Sequence, residues 1–600
     1  MTRFFLDVES SATGRPWHDR LDQRGSAHAL AIAQRYGLPE LLARILAGRQ
    51  VEIDAVDAFL GPTIKRSMPD PNVLTAMPQA AERLAEAIAL GERVAIFGDY
   101  DVDGATSAAV LARFLRWGGI EPMIHIPDRL FEGYGPNVEA VRILSARGAT
   151  LIVTVDCGTT SVEPLAEARA LGADVVIIDH HQAEETLPPA VAVVNPQRHD
   201  DLSGLGHLAA VGLVFMTVVA INRVLRARGF WTKSRPEPDL LALLDDVALG
   251  TVADMVPAIG LNRAFIAKGL IALRRRERPG YVSLMDVARL FGPPEAWHLG
   301  FLLGPRINAG GRIGRADLGV RLLLEDDPIE AAKIAAELDR LNRERQAIEQ
   351  QTLAQAEAEA LTALGSEARG AVVVTAAEGW HPGIVGLVAA RLKEKFGRPA
   401  FAIALEPGGV GTGSGRSIVG VDIGRTVRRA VAAGLLLKGG GHPMAAGVTV
   451  RKTSLAPLRA FLETELGPDV ETARRSNGLL IDGAVSAAAA NADLVALLAR
   501  AGPFGSGNPE PVIALPAHTI AYAEEVGHMH MRVRLKSADG AIVNAIAFRA
   551  VGQQLGVALR DSRGQRVHAA GSFALDRFEG EERVQFRLVD IAPAEPLAGQ

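Results

Sequence analysis

Three short runs of branched apolar residues stand out of a polar background: "RVAIFGDYD", "TLIVTVDCG" and "ADVVIIDHH", ending near residues 101, 158 and 181. Each run is continuously apolar rather than alternating, the pattern of a strand covered on both faces. Helix-like stretches such as "SVEPLAEARALG" lie between them, and this βαβα rhythm predicts a parallel sheet with helices on both sides. From 206 to 300 the periodicity is mainly helical. Residues 327–365 are rich in Ala, Glu, Gln, Leu and Arg without internal Pro; they predict one long solvated helix or two, linking domains. The irregular apolar heptad there argues for a spacer over a coiled coil. "GAVVVTAAEGWHPGIVGLVAARLKEKFGRPAFAIAL" opens a second α/β unit that runs to about 453. After "RRSNGLLIDG" come short alternating segments, among them "MRVRLKSADG", "AIVNAIAFRA", "RVHAAGSFAL" and "RVQFRLVDI", which predict a small antiparallel barrel. The expected division is a helical segment over 1–75, a first α/β domain over 76–326, a linking helix over 327–366, a second α/β domain over 367–455 and an OB-like barrel over 473–600.

Composition narrows the class of partner. The chain has 600 residues, 48% apolar and 22% charged, with a net charge of -5, which excludes a globally basic nucleic-acid binder. A polyanion must therefore be met by local basic patches or by metal ions. A single cysteine, Cys157, excludes an intramolecular disulfide framework and a Cys-rich zinc site, and fits a reducing cytoplasm. The first twenty residues hold no apolar core of signal-peptide length, and no uncharged apolar run reaches the roughly 18 residues of a membrane span. The expectation is a soluble cytoplasmic protein that does not enter a membrane.

The carboxyl ends of the three strands carry the chemistry. They present Asp99, Asp101 and Asp103, then Asp156, then Asp179, His180 and His181. A lone Asp after a strand is ordinarily a helix cap or turn residue, and for Asp99 taken alone that explanation stands. Parallel neighbours, however, bring their carboxyl ends to one edge of the sheet, where open α/β folds bind ligands. Clustered carboxylates repel unless a cation sits among them. Four carboxylates and two imidazoles exceed the needs of one ion and suit two divalent cations about 3.5–4 Å apart that share a bridging carboxylate. Oxygen-rich ligation with one or two histidines favours Mn²⁺ or Mg²⁺ over structural zinc. Cys157 reads as a small buried residue beside the site.

"GDYDVDG", "VDCG" and "IDHH" resemble the first three motifs of the DHH phosphoesterases, and "ALGTVADMVP", 248–257, resembles the fourth. "GGGHPMAAG", 439–447, is similar to the signature of the DHH-associated domain. "GWHPGIVGLVAARL", "GPRINAGGRIG" and "AGPFGSGNPEP" narrow the resemblance to the RecJ exonucleases, bacterial enzymes that degrade single-stranded DNA from the 5′ end. The likeness covers nearly all of the chain from about residue 70. It implies Asp101, Asp103, Asp156, His180 and Asp254 as metal ligands, with Asp99 beside them and Asp156 as the bridge. His181 is implied at the scissile phosphate or behind the ligands. Two-metal hydrolysis would then release 5′-mononucleotides.

The same resemblance implies Ser414 and Arg416, in the Gly-rich loop "GTGSGRS", as receptors for the 5′ phosphate. It adds Arg306, Asn308 and Arg312, in a flexible turn, along the backbone, and His442 at a phosphate or sugar edge. His381, beside Trp380, either joins them or only packs under the loop. His528 and His530 read as part of a barrel strand, not a metal site. The implied partners are single-stranded DNA with a 5′ end, a helicase and a single-strand-binding protein, with the chain itself monomeric. The alternative in the same superfamily is a phosphodiesterase acting on oligoribonucleotides or cyclic dinucleotides; a different class is a non-catalytic single-strand scaffold, which predicts broken metal motifs. Residues 229–238 read as a variable insertion, and the first 70 residues match no motif.

Overall fold

The computed structural model describes residues 4–129, 131–364, 370–578 and 581–594. It divides into two units: one holds Met68–Pro257 and Leu261–Ser476, the other the described residues of Met1–Ser67, Ala258–Gly260 and Asn477–Gln600.

The larger unit contains two sheets. The first is built from β1 (Val94–Gly98), β2 (Met123–His125), β3 (Leu151–Val155), β4 (Asp174–Ile178) and β5 (Ala192–Val194), in the order β2-β1-β3-β4-β5. All four pairings are parallel. β1 and β3 are buried along their whole length, which explains their unbroken apolar character. The chain leaves β1 toward one side of the sheet and returns at β3 on the other, so the crevice beyond their carboxyl ends is the topological switch point of a doubly wound sheet.

Helices α1 (Val102–Trp117), α2 (Ala210–Ala227) and α3 (Leu244–Ala253) pack against one another beside this sheet. By length and composition α2 is apolar enough to cross a bilayer, but 72% of it is buried inside the protein. Most of it is enclosed and needs no polar face, and its exposed C-terminal end carries Arg223 and Arg226. The segment expected as a variable insertion is tied down: Trp231 Nε1 donates to Asn222 Oδ1 at 2.8 Å, and Trp231 meets Phe114 edge-to-face.

"GPRINAGGRIG" is a helix rather than the flexible turn expected. α4 (Gly304–Ile313) has Pro305 in its first turn, where no backbone donor is needed, and its glycines serve close approach. A Cβ at Gly311 would lie 2.6 Å from the carbonyl oxygen of Tyr100, so only glycine lets α4 rest on the loop after β1. α5 (Pro328–Leu364) is one unbroken 37-residue helix. It is more than a solvated spacer: Ala356, Ala360 and Leu364 share a core with Val373, Trp380 and Val388 of the second α/β region.

The second sheet runs β9-β10-β8-β7-β6, from β6 (Val373–Glu378), β7 (Ala400–Leu405), β8 (Val410–Arg416), β9 (Lys438–His442) and β10 (Ala445–Arg451). β6 and β7 are parallel and the other pairs antiparallel. "GTGSGRS", expected as a loop, is mostly strand β8. Its glycines face β7 so tightly that a Cβ at Gly413 would lie 2.6 Å from Ile403. The period-two alternation therefore sends Thr412, Ser414 and Arg416 to the opposite face together.

The smaller unit is a closed barrel. β11 (Gly483–Ala484), β12 (Ile513–Val526), β13 (His530–Lys536), β14 (Ile542–Ala547), β15 (Arg566–Phe578) and β16 (Glu581–Pro593) follow the order β11-β12-β13-β14-β16-β15, and pairing of β12 with β15 closes the ring. Five strands closed in this order form an OB fold. His530 opens β13, where its Nδ1 accepts from Arg549 N at 2.9 Å, while His528 lies in the preceding turn.

The N-terminal residues belong to this barrel's core. Ile32, Leu42, Leu46 and Val56 share one cluster with Ile520, Val533 and Phe586. Trp17, fully buried, donates from Nε1 to the buried Asp590 at 3.2 Å, and Thr13 donates to the same carboxylate oxygen. Trp17→Ala is expected to destabilise this unit by about 3–5 kcal/mol, from the cavity left and the donor lost to Asp590. Urea titration followed by circular dichroism measures it, and a cost below about 1 kcal/mol shows the segment to be peripheral to the barrel.

Candidate metal centre and anion cavity

Burial and hydrogen bonding at the carboxyl edge of the first sheet leave several oxygen atoms without a partner. Asp101 caps α1, its Oδ1 accepting from Gly104 N at 3.1 Å. Asp103, two residues on, reaches across to the start of α2, where Oδ2 accepts from Ala210 N at 2.7 Å and Oδ1 from Val211 N at 2.9 Å. A carboxylate is favoured at that positive helix end. Asp156 follows β3 with φ +62°, a left-handed conformation that Asp tolerates better than most residues. Its Oδ1 and the Oδ1 of Asp99 are buried without a hydrogen-bond partner. Asp254 is the C-cap of α3, where the helix dipole opposes a negative charge.

His180 enters from β4. Its Nδ1 lies 3.2 Å from Leu208 O, which can only accept, so Nδ1 carries the proton. Nε2 therefore presents a lone pair, 3.3 Å from Asp156 Oδ1 and 3.9 Å from Asp103 Oδ2. Burial, with the charge on His181 second, lowers the pKa of His180 to about 4, so a proton on Nε2 does not relieve the clash of lone pairs. The acids show the same strain. Burial, followed by the charge of Asp101, raises Asp103 to about 7. Burial, followed by Asp103 and Asp101, raises Asp254 to about 9, and Asp99 and Asp156 are pushed well up for the same reasons.

Among the described residues, candidate ligand atoms gather into three overlapping groups, each within 4.8 Å: Asp99, Asp101 and Asp156; Asp103, His180 and Asp254; Asp156, His180 and His181. Carboxylate and neutral imidazole ligand atoms converging in a space that drives the carboxyls to keep their protons fit divalent cations in place of those protons. Asp179 stands behind the cluster. Burial alone would raise its pKa, but His181 Nδ1 at 2.8 Å and the amides of Thr159, His180 and His181 hold it below the ordinary carboxylate range.

Positive charge is concentrated in the same unit. A cavity of about 540 Å³ on the second sheet is lined by Arg129, Thr412, Ser414, Arg416, Lys438 and Thr449, with several glycines. Arg416 is oriented by Ser414 Oγ at 2.7 Å, and Arg312 donates to Gly383 O at 2.9 Å. Burial and then Arg129 lower Arg416, while burial followed by Arg129, Arg345 and Arg416 lowers Arg312 to about 10. Among the described residues, Arg129, Arg312 and Arg416 form no ion pair with a carboxylate. Such a cluster is the anion-seeking counterpart of the cation site.

The other expected residues are distributed differently. Arg306 turns to Asp339 at 3.0 Å and to Leu302 O at 2.7 Å, so its guanidinium fastens α4 to α5. Asn308 is half-buried on α4. His381 is half-buried, with Nδ1 accepting from Gly383 N at 3.1 Å, while Trp380 donates to Gln355 on α5. His442 is exposed at the end of β9 and does not itself line the cavity, although its neighbour Gly441 and its cross-strand partner Ala445 do. Arg129 and Tyr134, in the loop after β2, and Lys438 were not singled out from the sequence. The usable signal for the first two was position, since that loop also follows the carboxyl end of a parallel strand.

The fold and the two sites define a phosphoesterase of the DHH class. Residues 93–251 match the DHH family N-terminal domain, 369–467 the DHHA1 domain and 481–590 the RecJ OB domain. The single-stranded-DNA-specific exonuclease RecJ of Dickeya dadantii is 36% identical over 93% of this chain and 96% of its own length, and that of Escherichia coli is 36% identical over 93% and 96%. The crystal structure of RecJ from Thermus thermophilus in complex with Mn²⁺ superposes with a TM-score of 0.75 at 27% identity, over 97% of this chain and 80% of that one. This chain belongs to the RecJ family of single-stranded-DNA-specific exonucleases.

Proposed function

We propose that this protein hydrolyses single-stranded DNA from the 5′ end, releasing 5′-mononucleotides, with two divalent cations, Mn²⁺ or Mg²⁺, held by Asp99, Asp101, Asp103, Asp156, His180 and Asp254. The observation that carries the reading is the convergence of ligand atoms on Asp156 and His180 within 4.8 Å of one another, with oxygens of Asp99 and Asp156 buried and unpaired. Asp156 belongs to two of the three ligand groups and is the proposed bridge. When bound, the cations supply charge neutralisation, Lewis-acid contact and a water acidic enough to serve as nucleophile at neutral pH.

The protein's own groups do the rest. Asp103 and Asp101 are held by helix-end amides, which keeps their remaining lone pairs aimed into the site. His180 keeps its proton on Nδ1 through Leu208 and so offers Nε2 as a neutral ligand. Asp179 favours the protonated form of His181, whose positive charge suits contact with a phosphate oxygen. The cavity with Ser414, Arg416, Arg129 and Lys438 is the proposed seat of the terminal 5′ phosphate, with Arg312 beside it. Fixing that phosphate sets which linkage reaches the cations, and hence the polarity.

The barrel favours a polymer over a dinucleotide. β13 turns Arg532, Arg534 and Lys536 outward, and Arg534 lies over the Tyr522 ring at 5.7 Å, a pairing suited to backbone phosphates and bases. A single strand is what unwinding leaves behind, so a helicase is the proposed supplier of substrate and a single-strand-binding protein its companion. We assign the work to DNA recombination and repair in the cytoplasm, carried out by a monomer; the unpaired, buried Cys157 agrees with a reducing compartment.

The test is digestion of single strands labelled at the 5′ or the 3′ end, with Mn²⁺, Mg²⁺ or EDTA. The expected result is immediate release of 5′-labelled mononucleotide, progressive shortening of the 3′-labelled strand, and no product in EDTA. Full turnover in EDTA, or loss of the 3′ label first, overturns the assignment.

A further inference from the structure

Tyr134 belongs to no ligand group and to no motif used above, yet its hydroxyl lies under the metal centre. It sits between Gly133 and Gly135, both at positive φ, which lets the loop after β2 turn sharply inward. Glu132 closes the base of that turn, accepting from Asp128 N at 2.9 Å, His125 Nε2 at 2.9 Å and Asn137 Nδ2 at 3.2 Å. Tyr134 as a residue is 48% exposed, but its hydroxyl is directed at Asp156 and His181. There it donates to the carbonyl oxygen of Asp156 at 3.2 Å and lies 3.0 Å from His181 Nδ1, with the two rings edge-to-face.

The proton assignments agree with one another. The Asp179 carboxylate accepts from His181 Nδ1, so that nitrogen carries hydrogen, and the phenol proton is committed to Asp156 O. The phenol oxygen is then a second acceptor beside the same N–H. One hydroxyl thus touches both halves of the site: the left-handed residue after β3 and the second histidine after β4.

We propose that Tyr134 is a positioning residue for phosphodiester cleavage: its hydroxyl fastens the Asp156 backbone and sets the plane of the His181 ring. Two features carry this. Asp156 holds a sparsely populated backbone conformation that needs outside support. His181, at the rim of the site, has no other side chain among the described residues within hydrogen-bond distance of its ring nitrogens except Asp179. The inference rests on the nuclease reading above.

The experiment compares the full-length protein with Tyr134→Phe on a 5′-phosphorylated single-stranded oligonucleotide in Mn²⁺. The hydroxyl alone is removed, so the ring remains for packing or for stacking on a base. A kcat about 10- to 100-fold lower, with KM unchanged and the same melting midpoint, is expected. His181→Asn and the double variant are then compared under single-turnover conditions with excess enzyme. If Tyr134 works through His181 and Asp156, the Tyr134→Phe loss shrinks when His181 is already absent. The imidazole resonances of His181 should also shift in Tyr134→Phe. A parent activity with unaltered kcat in Tyr134→Phe, a rise confined to KM, or full additivity with His181→Asn overturns this inference and leaves the nuclease reading standing. An inactive parent protein removes that reading itself.

Discussion

Asp156→Asn is expected to reduce exonuclease turnover by on the order of 10⁴-fold or more while leaving the fold intact. Asparagine is the informative substitution because it keeps the side-chain shape and tolerates the left-handed backbone that alanine would strain. It removes one charge from the two ligand groups that share Asp156, so both candidate cation positions lose a carboxylate together. In EDTA the variant should melt no lower than the parent, since the removed group is a buried acid crowded by Asp103, Asp101, Asp99 and Asp254. Activity within tenfold of the parent in Mn²⁺ would falsify the bridging role. A collapsed melting midpoint would point to a structural role instead.

The second large effect is a coupling between pH, metal and stability. Asp103 and Asp254 are raised to about 7 and about 9, by burial first and neighbouring carboxylates next. An acid whose pKa is higher in the folded protein holds its proton more tightly there than in the unfolded chain. Stability in chelator therefore falls as pH rises from the unfolded carboxylate pKa toward those folded values, by an amount on the order of a few kcal/mol. Mn²⁺ binds the ionised carboxylates of the folded state only, so the stabilisation it gives grows over the same interval. Thermal melts between about pH 5 and about pH 9, with EDTA or Mn²⁺, measure both slopes. A chelated protein equally stable at both ends, or a metal shift independent of pH, would show that these carboxylates do not share a cation site.

Much of this architecture was legible in the chain itself. The runs before Asp99, Asp156 and Asp179 are continuously apolar because their strands are enclosed, and parallel strands bring their carboxyl ends to one edge. That is why acids scattered over eighty residues, from Asp99 to Asp179, could be assigned to one crevice, whereas Asp254, at a helix end, came only from the family resemblance. Glycine was harder to interpret. "GPRINAGGRIG" and "GTGSGRS" both suggest loops by composition, but in α4 and β8 the missing Cβ lets a neighbouring backbone or Ile403 come close. Local propensity cannot separate a glycine needed for flexibility from one needed for contact, because the contacting atoms are remote in sequence.

By itself the sequence determined the order of the domains, the acidic and imidazole groups at three strand ends, and the family to which the chain is related. These depend on periodicity and residue type, which are local. Only the tertiary structure decided that residues before 68 complete the barrel's core, that Arg306 is committed to Asp339, and that Arg129 and Tyr134 come to the sites from an unremarked loop. Each is a pairing between distant segments, fixed by packing and by the need to satisfy buried polar groups.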